Sequence, residues 1–168
     1  MKKLAVLLFV CGFLLTACAS ADYTDHLNRK YEDYQEFYIK EIQDEMFNKE
    51  EDKYCVYIFR RACGSCIDIK GALLDYLDSY KINRLEYKLY LYEWQQATDL
   101  SPSDLTYFKG SIYGYSDANK YVKEMIGATT TQECYIYGTP SLYFINDNKL
   151  SNYLYLDNDI ADFLVKNK

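Results

Sequence analysis

Histidine is all but missing from this chain: the only one in 168 residues is His26. A mechanism built on a histidine base, or a metal site built on several imidazoles, therefore has no support in the sequence. His26 itself reads as a solvated helix residue. Cationic runs are missing too. The formal net charge is −6 and no basic patch is discernible, so the chain lacks the electrostatic footprint of a nucleic-acid binder. The apolar stretch Leu4 to Leu15 falls short of the roughly 20 residues that a spanning helix needs. Zinc sites usually show two close-spaced ligand pairs, and only one such pair is present, so no metal is expected. Tyrosine, by contrast, is abundant at 20 residues, many of them alternating with aliphatics. That pattern reads as packing in the core and on the surface, with some contact role.

Composition, 49% hydrophobic and 26% charged, suits one globular domain plus a targeting segment. Lys2 and Lys3 ahead of Leu4 to Leu15 form the positive and apolar regions of a secretory signal. The stretch ends in Leu15-Thr16-Ala17-Cys18, which resembles the lipobox of bacterial lipoproteins. That resemblance implies cleavage before Cys18 and diacylglycerol on its sulfur, enough acyl chain for stable anchoring. An ordinary signal peptide cut after Ala19 or Ala21 is the alternative. The expected location is extracytoplasmic, lipid-anchored to the bacterial cell membrane, where disulfides persist. The chain then divides into a signal peptide (1–17), a lipidated N-terminus with an amphipathic helix (18–50) and a domain (51–168). The helix is expected from Tyr23 to Lys49, since Leu27, Tyr31, Tyr34, Tyr38, Ile42 and Met46 recur every three or four residues. It would cover one face of a sheet or dock a partner.

The domain is organised around Cys63-Gly64-Ser65-Cys66. Tyr54 to Phe59, rich in β-branched and aromatic residues, predicts a strand, and Ile69, Leu73, Leu77 and Tyr80 predict a helix to about Tyr80. The cysteines sit where the strand hands over to the helix. Unpaired N–H groups and the positive dipole end there favour a thiolate, and Arg60 and Arg61 add charge. The spacing lets the second thiol reach a mixed disulfide formed on the first. A structural disulfide, half a zinc site or two inert cysteines are competing readings. Far downstream, Tyr137-Gly138-Thr139-Pro140-Ser141 reads as a loop feeding a strand through Ile145.

With both motifs in this order, residues 54 to 166 resemble the thioredoxin-like superfamily, whose members pair C-x-x-C at a helix start with a cis-proline loop. The resemblance implies an α/β fold with a central mixed sheet of about four strands flanked by helices. Here it would carry a helical insertion at about 95–133 before the cis-Pro loop, and the extra N-terminal helix. Leu85 to Tyr92 is the second strand, parallel to the first. Ser101-Pro102 opens one inserted helix, ended by Gly110. Ser116 or Asp117 opens another, with Tyr121, Val122, Met125 and Ile126 on its apolar face, ended by Gly127. Ser141 to Asn146 and Leu150 to Leu156 form a hairpin around Asn146-Asp147-Asn148-Lys149, and Asp157 or Asn158 caps the last helix.

The resemblance further implies Cys63 as attacking and Cys66 as resolving thiol, with Thr139, Pro140, Gly64 and Ser65 meeting the substrate. It implies no cofactor beyond a Cys63–Cys66 disulfide. The partners would be extracytoplasmic proteins bearing thiols or disulfides, with a membrane electron-transfer protein to reset the pair. Three positions depart from the pattern: Ala62 stands where thioredoxins usually have tryptophan, Tyr57 where many have a buried acid, and Gly64-Ser65 where Gly-Pro is familiar. The missing tryptophan and acid favour a second reading, a redox-inert thioredoxin-fold lipoprotein that binds a partner or peptide, while the retained cysteine pair and proline loop oppose it. Cys55 and Cys134 are left either as buried thiols or as a structural pair.

Overall fold

The computed structural model describes residues 29–94 and 106–168. The signal segment, Cys18, His26, the start of the expected N-terminal helix and Ser101-Pro102 lie outside the described residues. The chain divides between Asp33 and Tyr34. Of the first unit, residues 29–33 are described, with the Lys30 N–H donating to the Asp33 carboxylate at 3.1 Å.

The second unit is a mixed α/β structure built on β1 (Lys53–Phe59), buried along all but its first residue. Burial on both faces is why the run reads as continuously apolar rather than alternating. β1 pairs in parallel with β2 (Lys88–Glu93). Two short strands follow in the chain, β3 (Gly110–Ser111) and β4 (Tyr135–Ile136), which pair with each other in parallel. β5 (Ser141–Asn146) runs antiparallel to β1, and β6 (Lys149–Leu154) antiparallel to β5, giving a four-stranded mixed sheet in the order β2-β1-β5-β6. The β5–β6 turn places Asp147 at φ 47° and Asn148 at φ 59°, left-handed positions that Asp and Asn tolerate.

Five helices are described: α1 (Ile42–Glu45), α2 (Gly64–Asp68), α3 (Lys70–Ile82), α4 (Ala118–Met125) and α5 (Asp157–Lys166). Strand alternation distributes the core over two faces. On one, Tyr54, Val56, Ile58, Tyr143 and Ile145 share a cluster with Ile42, Met46, Met125, Cys134 and Ile136. On the other, Phe144 meets Phe163 of α5 edge-on at 4.8 Å between ring centroids, and Phe163 meets Tyr76 of α3 at 5.8 Å.

Four expectations need correction. The stretch to Lys49 is not one helix. Among its described residues, Tyr31–Phe37 is a 3₁₀ segment broken at Tyr34 (φ −124°, ψ 33°), and only α1 is α-helical. Between them the Ile39 N–H donates to the Leu91 carbonyl at 2.9 Å, and Tyr38 bridges Leu91 in parallel. Tyr, Phe and Ile are middling helix formers, so bonding to the exposed edge of β2 wins over helical continuity. Burial follows suit: Phe37 and Ile39 are buried, three and five residues after Tyr34, while Tyr38 is only half-buried. Gly110 does not end a helix but opens β3, a two-residue strand too short to show a period. Leu156 occupies the N-cap position of the last helix without a side-chain cap, and Asp157 sits in its first turn, where its charge suits the dipole. Ile126, expected inward on α4, is 45% exposed.

Candidate functional site

Cys63 is the N-cap of α2, with extended backbone (φ −94°, ψ 119°). Its Sγ accepts the Cys66 N–H at 3.3 Å, the role a serine or aspartate oxygen plays at other helix starts. The helix therefore starts at Gly64, because the cysteine itself supplies the cap. From the other side the Cys63 thiol donates to the Thr139 carbonyl at 3.1 Å. The structure thus brings Cys63, Cys66 and Thr139 together across 76 residues of chain. Gly64, exposed, and Ser65, half-buried, form the turn joining the two cysteines, and Pro140 is buried directly after Thr139. The Thr139–Pro140 peptide bond is cis.

The loop that presents Thr139 is held by two residues that the sequence does not single out. The Tyr137 N–H donates to the Tyr153 hydroxyl at 2.8 Å. Ser141 Oγ donates to the Gly138 carbonyl at 2.6 Å and lies 2.7 Å from Tyr153 Oη. Since the serine proton goes to Gly138, the tyrosine proton goes to Ser141, and each hydroxyl both gives and accepts. Gly138, at φ 154°, makes the turn into this loop in a conformation that side chains rarely adopt. No local pattern marks Tyr153; only the β5–β6 register, which sets Tyr143 opposite it, brings it to the loop.

The two arginines divide. Arg60 Nε donates to Thr139 Oγ1 at 3.0 Å, so its charge lies on the site. Arg61 instead forms a two-pronged pair with Glu93, at 2.6 and 2.9 Å, and its charge is matched there. The thiols also differ. Cys66 is 1% exposed and Cys63 7%. Burial, and then the hydrogen bond with Cys63, push the Cys66 thiol up to about 12. Below that pH Cys66 keeps its proton unless a base removes it. Chemically the arrangement offers one sulfur with a small opening to solvent, backed by a second that is neutral and more fully enclosed.

Cys55, Cys63, Cys66 and Cys134 are all free thiols. Cys134 packs with Val56 and Tyr143, whereas Cys55, adjacent to Val56 in β1, points to the other face of the sheet. A bridge between them would have to pass through β1, so they are two separate buried thiols. Burial pushes Cys134 up to about 12 and Cys55 well above its ordinary value. No family model matches the chain, and no curated protein matches it.

Proposed function

We propose that residues 51–168 form a thioredoxin-like domain and that the protein is a thiol–disulfide oxidoreductase, anchored outside the cytoplasm through lipid on Cys18. The observation that carries this reading is the 3.1 Å approach of Cys63 Sγ to the Thr139 carbonyl, with the Cys66 N–H on the sulfur's other side. A substrate strand laid along Thr139 meets the more exposed sulfur first.

The Cys63 thiolate attacks one sulfur of a substrate disulfide. That S–S bond breaks, a Cys63–substrate disulfide forms, and the departing substrate sulfur takes up a proton. Cys66 then loses its proton and attacks Cys63 Sγ, breaking the mixed disulfide and releasing the second substrate thiol. Two electrons and two protons pass from the cysteine pair to the substrate, leaving Cys63–Cys66 oxidised. Run backwards, the same atoms oxidise a substrate dithiol, and a membrane electron-transfer partner resets the pair. The Cys66 N–H, which donates to Cys63 Sγ at 3.3 Å, stabilises the negative charge on that sulfur when it attacks.

Tyr57, fully buried where thioredoxins often hold an acid, favours the second reading, a redox-inert binding module. Dithiol-driven reduction of insulin by the soluble domain separates the two. Turnover that disappears in Cys63→Ser supports the oxidoreductase; no turnover in the parent protein sinks it.

A further inference from the structure

Beside the Thr139 loop lies a group of tyrosines in ring contact that the thiol chemistry does not use. Tyr137, two residues before Thr139, meets Tyr155 at 4.6 Å between centroids and Tyr113 at 5.4 Å. Tyr155 stacks in turn on Tyr153 at 5.8 Å. Tyr113 is 66% exposed, although it stands against another ring. Tyr155 reaches the inserted helix α4 through a 3.3 Å bond to Asn119. The loop and these rings form one unit, because Tyr153 holds the loop with its hydroxyl while its ring carries Tyr155.

We infer that Tyr113, Tyr137 and Tyr155 form a platform for the polypeptide flanking a substrate cysteine, and that it selects segments bearing aromatic or large aliphatic residues there. The inference rests on the oxidoreductase reading for its location, since the platform begins where a strand lying on Thr139 would run on. Two residues of extended chain cover about 7 Å, so Tyr137 lies within reach of a side chain two positions from that cysteine. Tyrosine rings offer large contact area at small entropy cost, and their exposed faces match apolar or aromatic side chains better than charged ones.

The test uses a disulfide-linked decapeptide dimer with leucine and tyrosine flanking the cysteine, a serine-flanked counterpart, and hydroxyethyl disulfide. Expected is a kcat/KM for the apolar dimer about five- to tenfold above that of the serine dimer, a preference lost in Tyr113→Ser while hydroxyethyl disulfide turns over unchanged. Because Tyr113 is mostly exposed, that variant folds. Equal rates for the two dimers, or an equal loss on all three substrates, overturn the inference. Calorimetric binding of the cysteine-to-serine apolar peptide gives a readout independent of turnover. If hydroxyethyl disulfide is not reduced but this binding still needs Tyr113, the oxidoreductase reading fails and the platform stands. Binding indifferent to Tyr113 removes the platform.

Discussion

Tyr153→Phe removes one oxygen and leaves every ring in place. In the native protein that hydroxyl accepts the Tyr137 N–H at 2.8 Å and donates to Ser141 Oγ at 2.7 Å, in a residue 3% exposed. Ser141 keeps its bond to Gly138, so the main consequence is a backbone donor at Tyr137 without an acceptor. Stranding one such group costs about 1–3 kcal/mol. For a chain of this size, each kcal/mol lowers Tm by roughly 2–4 °C, so the expected drop is roughly 2–12 °C. The loop held by that bond also carries the carbonyl that rests on Cys63 Sγ. Alkylation of Cys63 by iodoacetamide should therefore speed up in the variant. Melting by circular dichroism and timed labelling followed by mass spectrometry read the two effects. An unchanged Tm together with an unchanged labelling rate would refute the view that Tyr153 secures the loop.

Three other outcomes are expected. At pH 8, iodoacetamide should modify Cys63 on the native domain and spare Cys55, Cys66 and Cys134 until urea is added; early labelling of Cys66 would contradict its enclosure. Because burial raises Cys66 from 9.0 to about 12, its neutral form supports the fold fully below pH 9, and that contribution fades as pH climbs toward 12. Melts of the parent and Cys66→Ala between those limits should converge as pH rises. Cys66→Ser should accumulate mixed disulfides with extracytoplasmic proteins and Cys63→Ser few, as non-reducing gels would show; equal trapping by both refutes the assignment of roles. In a bacterium that processes lipoproteins, the full chain should incorporate labelled palmitate and Cys18→Ser should not, and label persisting in that variant would rule out the anchor.

Legibility in the sequence followed locality. β1 announces itself because Tyr54 to Phe59 is an unbroken apolar run rich in β-branched and aromatic residues, α3 because Ile69, Leu73 and Leu77 recur at helical spacing, and the β5–β6 hairpin because Asp147-Asn148 suits its turn. The segment ending at Lys49 misled because Tyr34, Tyr38 and Ile42 mimic a helical stripe. What decides its shape is a hydrogen bond to Leu91, about fifty residues away, and spacing does not record distant pairing. β3 and β4 are too short to leave any period. At the site, Cys63, Cys66 and Thr139 were visible as motifs. Arg60 was visible only as a charge, and its partner Thr139 Oγ1 is a matter of three-dimensional placement. Ser141 and Tyr153 were invisible, because a hydroxyl's role depends on what faces it across a strand pair.

The placement of Cys55 and Cys134 on opposite faces of the sheet turns the maturation of this protein into a question of timing. The four described thiols, Cys55, Cys63, Cys66 and Cys134, allow three sets of two bridges among themselves. In the unfolded chain nothing distinguishes them, and an oxidant encountered then can join any two. Once β1 is in place, the sheet is a wall between Cys55 and Cys134, and both are enclosed and protonated, unattractive to oxidants. Only the neighbours across Gly64-Ser65 remain free to join. Discrimination among the four sulfurs is thus a property of the closed sheet and not of the cysteines. In an oxidising compartment, assembly of β1 between β2 and β5 must outrun thiol oxidation, and a slow-folding variant would be recognised by crossed bridges to Cys55 or Cys134.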